Sequence, residues 1–169
     1  MKKWVYLIFV IGTICLFFSG CSNKHPSDTE ISSILLDNRE DFKTIVRYLR
    51  SLNYDYLYID SDNGLSYYEL SFHKINSDNV QISIHNLWNN GCESVRMCRE
   101  EEMGKNTIWF QFWNGTGDRF CGLSCTVDGS GEPNVWFQIE SKEIEPGWFY
   151  YYADYELFRT TKGVNGAKE

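Results

Sequence analysis

Two hydrophobic rhythms run along the chain, and one gives way to the other near residue 53. From Arg39 to Leu52, the apolar residues Phe42, Ile45, Val46, Leu49 and Leu52 recur at the spacing of a single helix face. Asn38 stands where an N-cap belongs, with Asp41 three residues on. Glu40 and Asp41 suit the positive end of the helix dipole, and Arg47 and Arg50 suit the negative end. The pattern predicts an amphipathic helix that buries its stripe against a core and stops at Asn53. Ser32 to Leu36 adds an earlier helical turn.

Beyond Tyr54 the period is two. The runs Tyr54–Asp60 and Leu65–Ile75 flank Ser61-Asp62-Asn63-Gly64, and Asn-Gly between alternating runs predicts a hairpin. After a turn at Asn76–Asn79, Val80, Ile82 and Ile84 alternate with Gln81, Ser83 and His85. Pairing the apolar faces of these strands sets His85 opposite Glu69, with Ser71, His73 and Ser83 on the same polar side. The stretch from Asn89 to Asn106 is irregular, with a short helix expected over Glu93–Met103, closed by Gly104 and exposing Glu100-Glu101-Glu102. In the next strand, Thr107–Trp113, Ile108, Phe110 and Phe112 face one way and Trp109, Gln111 and Trp113 the other. Leu123–Val127 and Val135–Ile139 read as further strands around an Asp128–Pro133 loop, and Pro146-Gly147 introduces an aromatic strand, Trp148–Tyr152. Together these elements predict an α+β domain in which an N-terminal amphipathic helix packs on an antiparallel sheet of about six or seven strands.

The first twenty residues follow a different logic. Lys2 and Lys3 precede an apolar run, Trp4–Phe18, that is shorter than the roughly 20 residues a spanning helix needs. Its end, Phe18-Ser19-Gly20-Cys21, resembles the lipobox of bacterial lipoproteins, with Phe18 where leucine is usual. The resemblance implies that residues 1–20 are a signal peptide and that Cys21 becomes the lipidated first residue of the mature chain. The membrane lipid attached through Cys21 then holds the protein on the extracytoplasmic face of the cell membrane. Two acyl chains anchor stably where one holds only reversibly. Residues 21–30 are polar and read as a lipidated tether with a solvated His25, residues 31–159 as the single domain, and residues 160–169 as a frayed tail.

Composition sharpens this reading. At 43% hydrophobic and 17% aromatic, the 169 residues are too apolar for a disordered chain. The net charge of −7 becomes −9 once Lys2 and Lys3 leave with the signal, which excludes a sequence-independent grip on nucleic acid. Cys92, Cys98, Cys121 and Cys125 form an even set in a compartment where disulfides persist. On a continuous strand, Cys121 and Cys125 lie about 13 Å apart on one face, beyond the ~7 Å a bridge allows, so each would pair with Cys92 or Cys98 or stay free. Their spacings do not match a zinc site, and no metal or other cofactor is expected.

The motifs of catalysis are missing. There is no Gly-x-Ser-x-Gly elbow, His-Glu-x-x-His or P-loop. Gly64 falls one position early for a calcium loop begun at Asp60, and Gly115-x-Gly117 lacks the helix that a dinucleotide site requires. The Glu69, Ser71, His73, Ser83 and His85 group, the one acid–histidine constellation in sight, reads as the solvent-facing side of a hairpin rather than a hydrolase site. Trp109 and Trp113, set opposite the apolar face of their strand, are the candidates for a binding surface that stacks on sugars or anchors a protein partner. Trp136 and Trp148 add to an aromatic excess over what one core requires. The expectation is therefore a lipid-anchored binding module rather than an enzyme, with a protein or carbohydrate partner. A small acidic domain of this kind also suits an immunity- or inhibitor-type role against a basic partner. Finally, Gly122-Leu123-Ser124-Cys125-Thr126-Val127-Asp128-Gly129, followed by Pro146-Gly147-Trp148-Phe149-Tyr150-Tyr151, is similar to small bacterial proteins with a closing Gly-Trp-Tyr-Tyr strand. Phe149 replaces the first tyrosine, Cys125 stands where an aromatic or small residue is usual, and the resemblance brings no catalytic residue with it.

Overall fold

A computed structural model describes residues 25–60, 75–99, 106–116 and 118–162. Cys21 and the lipobox, the Ser61–Gly64 turn, most of the Leu65–Ile75 run with Glu69, Ser71 and His73, and the Glu100–Glu102 acids lie outside them. So does the end of the tail beyond Lys162.

The described elements run α1 (Asp28–Asp37), α2 (Arg39–Ser51), β1 (Tyr56–Asp60), α3 (Asp78–Asn89), β2 (Ser94–Cys98), β3 (Thr107–Gly115), β4 (Arg119–Thr126), β5 (Gln138–Glu145), β6 (Trp148–Asp154) and α4 (Tyr155–Lys162). The six strands form one antiparallel sheet in the order β1-β2-β3-β4-β6-β5. This is an α+β domain, as the patterning predicts. Among the described residues, no helix is long and apolar enough to cross a membrane.

α2 carries the expected stripe, with Phe42, Ile45, Val46 and Leu49 buried. It presses Phe42 edge-on against Phe110 of β3, ring centroids 4.9 Å apart, and against Trp148 of β6 at 5.5 Å. It is not the first helix, however. α1 precedes it, opened by a capping box in which Ser27 and Glu30 satisfy each other's backbone amides. The expected tether is therefore shorter than residues 21–30, because its second half is already folded. Nor is His25 solvated. Its ring stacks on Tyr152 at 4.6 Å and lies 5.8 Å from Trp113, and the Tyr150 hydroxyl sits 3.3 Å from Nδ1. Asn38 does not cap α2 with its side chain; its amide donates to Ile34 O at 2.9 Å and so closes α1.

Four further expectations are corrected. Val80–Ile84 is helical, within α3. Val80 and Ile84 satisfy both a strand and a helix period, but Ser83 and Leu87 complete an i, i+3, i+4, i+7 buried face, and Ile82 is left 57% exposed. The short helix expected over Glu93–Met103 is in its described part the strand β2, with Val95 and Met97 turned to the core. The strand expected at Val135–Ile139 begins only at Gln138, after Phe137 has reversed the chain at φ 55°. Thr160 and Thr161, expected to fray, lie in α4, each with a hydroxyl donating to a backbone carbonyl of the preceding turn.

The sheet divides the interior in two. Its helix side gathers Leu57, Ile59, Val95, Met97, Phe110 and Leu123 with the buried faces of α1, α2 and α3. Its other side is only half covered by the described residues. There Val135, Trp136 and Phe137 fold back over Trp109, Tyr56 and Tyr151, and α4 holds Phe137 through Tyr155 and Phe158.

Cys92, Cys98, Cys121 and Cys125 are all buried, and no disulfide joins them in this structure. Cys121 and Cys125 do share one face of a continuous strand, which precludes a bridge between them, and Cys98 lies on the opposite side of the sheet from both. Burial pushes the Cys121 and Cys125 thiols up to about 12 each. An unfolded thiol releases its proton near the ordinary 9.0, so between these values the folded state holds more protons than the unfolded one. Stability from these thiols is complete below about pH 9 and is lost as pH rises toward 12. The urea midpoint is therefore expected to fall between pH 9 and 11, with a shallower fall in Cys125→Ala; an unchanged slope in that variant refutes the assignment.

Candidate functional site

The half-covered side of the sheet owes its character to one extra residue. In β3 and β4, Gln111 pairs with Gly122, but Trp113 pairs with Cys121, which leaves Phe112 as a bulge. Below the bulge, the odd-numbered residues Thr107, Trp109 and Gln111 face the half-covered side. Above it the parity is reversed, so Asn114 joins Gln111 there and Trp113 turns to the helix side. The bulge presses the two strands together. A Cβ at position 122 would overlap the carbonyl oxygen of Phe110 and stand 3.2 Å from Gln111 Cα, so only glycine fits.

Across the half-covered face, the register aligns Asp60, Ser94, Gln111, Gly122, Tyr151 and Ser141, one from each strand in sheet order. Neighbours in this row are about 4.8 Å apart, held by the backbone ladder. Every member except glycine is polar. Ser94 is 2% exposed and Tyr151 wholly buried, yet the Ser94, Tyr151 and Ser141 hydroxyls find no hydrogen-bond partner among the described residues. The glycine leaves the middle of the row without a side chain.

At the β1–β3 end this row opens into a polar notch of about 390 Å³. The Tyr58 hydroxyl donates to Asp60 Oδ2 at 3.0 Å, and the Arg96 guanidinium lies over the Tyr58 ring, 4.7 Å from its centroid. Burial raises the Tyr58 phenol above its ordinary value, Arg96 draws it back and Asp60 raises it again, so the group remains a donor. Gln111 Nε2 donates to Glu93 Oε2 at 3.4 Å, while the Glu93 amide donates to Gln111 O at 2.7 Å. Arg96 Nε is buried with no partner among the described residues, and the exposed Asn114 stands at the mouth. The volume falls within the range of about 300–1,000 Å³ typical of small-molecule sites.

The sequence-predicted site residues do not come together here. Trp109 is fully buried in the smaller core against Trp136, and Trp113 is half-buried on the helix side, so neither is the exposed aromatic that simple alternation predicts. His85 sits on the helix α3 rather than on a strand, edge-on to Trp88 at 5.3 Å, and Glu69, its expected partner, lies outside the described residues. Ser83, two residues away on the same helix, is buried on another face. Among the described residues, no group of His, Cys, Asp or Glu is placed to hold a metal ion. The residues that reasoning from pattern missed are Asp60, Ser94, Arg96 and Asn114. One sign was available, because Gln111 interrupts the apolar run from Ile108 to Trp113.

Compared with known proteins, the chain matches no family model, no curated protein and no solved structure.

Gly122→Ala is expected to lower the unfolding free energy by about 1–3 kcal/mol through overpacking, read by urea denaturation. Full stability in that variant would mean that β3 and β4 do not approach as described.

Proposed function

We propose that the chain is a lipid-anchored binding module of the extracytoplasmic membrane face that recognises a neutral, hydroxyl-rich ligand, a saccharide, in the polar notch. The observation that carries this reading is the Asp60–Ser94–Gln111 row, set on three adjoining strands, with the buried Ser94 hydroxyl lacking a partner among the described residues. A hydroxyl group donates and accepts at once. It can bridge a carboxylate and an amide, or a carboxylate and a guanidinium, and the notch offers both combinations. A simple anion would meet Asp60 and Glu93, and a simple cation would meet Arg96, so mixed walls favour a neutral partner. The anchor rests on the lipobox resemblance at Cys21, and the acidic chain argues against nucleic acid as the partner.

The test is a calorimetric titration of the full chain, held in phosphatidylcholine nanodiscs, with a panel of neutral mono- and disaccharides. Saturable binding to a member of the panel is expected. Ser94→Ala should weaken it about 3–10-fold, the worth of one neutral hydrogen bond, and Gln111→Leu should weaken it more while the fold is retained. Saturable binding to none of the panel overturns the reading. The anchor has a separate test. Cys21→Ala should move the chain from the membrane to the soluble fraction, and a variant that stays with the membrane refutes lipidation at that residue.

A further inference from the structure

A second site lies on the helix side of the sheet, at the opposite end of β4 and β6 from His25. Lys43, Arg47 and Arg50 recur along α2 at i, i+4 and i+7 and so share one helix face. They form one wall of a cleft of about 350 Å³, whose floor is Val46, Cys125 and Trp148 and whose far side is the Gly129 turn and the Pro146-Gly147 turn. Arg50 is fixed in place. Its Nη2 donates to Thr126 O at 2.9 Å, and its own carbonyl accepts from Arg99 Nη2 at 3.1 Å. Gly129, at φ +79°, brings the backbone of its turn against the guanidinium, so that a Cβ there would lie 3.5 Å from Arg50 Nη2.

Among the described residues, the charge in this cleft is only partly neutralised. Arg39, one turn earlier on α2, is paired with Glu145, and Lys43 leans back to Glu40 at 2.9 Å. Among the described residues, no carboxylate lies within ion-pair distance of Arg47 or Arg50, although the chain as a whole carries −7. An acidic protein that gathers unpaired guanidinium groups beside an indole and a valine presents two complementary surfaces: a cationic rim for an oxyanion and an apolar floor for the body attached to it. Arginine holds phosphate and carboxylate through paired N–H donors, and a ring or short chain lies on Trp148 and Val46.

We infer that this cleft binds an organic oxyanion, a phosphate or carboxylate joined to an apolar group, with Arg47 and Arg50 on the anion and Trp148 and Val46 under the apolar part. Neither the ligand chemistry nor the position overlaps the notch, so the two sites stand or fall separately. The cleft opens about 13 Å along β6 from the Tyr152 end where His25 docks, taking ~3.3 Å per residue over four residues. On the lipobox reading it therefore faces away from the bilayer, which points to a ligand free in the surrounding medium and not a lipid headgroup.

Phenyl phosphate is the probe, titrated by calorimetry into the full chain in phosphatidylcholine nanodiscs, with inorganic phosphate and phenol as the two halves of the ligand. Saturable binding of phenyl phosphate is expected, at least tenfold tighter than either half and weakening as salt is raised. Arg47→Gln, at an exposed position, should weaken phenyl phosphate and inorganic phosphate alike by about tenfold. Trp148→Leu should weaken phenyl phosphate and leave inorganic phosphate unchanged, with circular dichroism confirming the fold. No saturable binding, or binding unaffected by Arg47→Gln, overturns the inference. Replacing the phosphatidylcholine with phosphatidylglycerol should not block the probe; if it does, a lipid headgroup occupies the cleft and the assignment to a free ligand is wrong.

Discussion

A strand has only two faces, and the extra residue at Phe112 exchanges them partway along β3. The arrangement on both sides of the sheet depends on that exchange. Without it Trp113 would stand beside Trp109 on the half-covered side, and Asn114 would point into the helices. With it the indole of Trp113 joins the group that receives His25, while Asn114 completes the rim of the notch. The bulge in turn requires Gly122, because β4 comes too close at that point for any side chain. The bare position then leaves the middle of the polar row without a side chain. One inserted residue and one missing side chain thus shape the rim and the middle of the polar row.

The two sides of the sheet are filled by different means. The helix side is closed by three amphipathic helices, whose apolar faces supply aliphatic residues and Phe42. Among the described residues, the other side receives a single loop and one short helix, and large aromatic rings cover the area: Trp109, Trp136, Tyr56, Tyr151 and Phe137. This explains the aromatic excess in the composition. The rings are a compact way to close half a sheet with few residues, and they leave the β1–β3 end to polar groups. The outer edge is guarded differently again. β5 carries Glu140, Lys142, Glu143 and Glu145, charges that discourage another strand from pairing there.

How far the sequence could be read follows from these particulars. α2 was legible because five apolar residues at helical spacing admit no strand reading, and β6 because Pro146-Gly147 and an unbroken aromatic run mark it on both sides. The class of fold followed from these and the alternating runs. α3 was not legible, because Val80 and Ile84 fit both periods and the decisive residue, Ile82, declares itself only by its exposure. The notch was not legible for a different reason. Its members come from three strands, and their alignment depends on a register and a bulge that no local pattern encodes. Gln111 alone was visible, as a polar residue inside an apolar run. The cationic face of α2 could be seen in Lys43, Arg47 and Arg50, but not that their neighbours would leave Arg47 and Arg50 without a carboxylate.

The docking of His25 bears on how such a domain would be presented. Had the tether run to residue 30, the domain would swing on ten flexible residues. Because Ser27 already caps α1 and His25 lies on Tyr152, only four residue steps separate Cys21 from the folded surface. Four steps span at most about 14 Å when fully extended. On the lipobox reading, this leash is too short for the domain to turn over freely, and it fixes which end faces the lipid. That reading would put the ends of β4 and β6 bearing Cys121 and Tyr152 toward the membrane and the Gly129 and Gly147 turns away from it. The sheet is then held upright on the bilayer, with the notch near its base on one face and the cationic cleft near its top on the other. A small domain tied so closely can offer two unlike surfaces to two unlike ligands without either being hidden by rotation against the membrane.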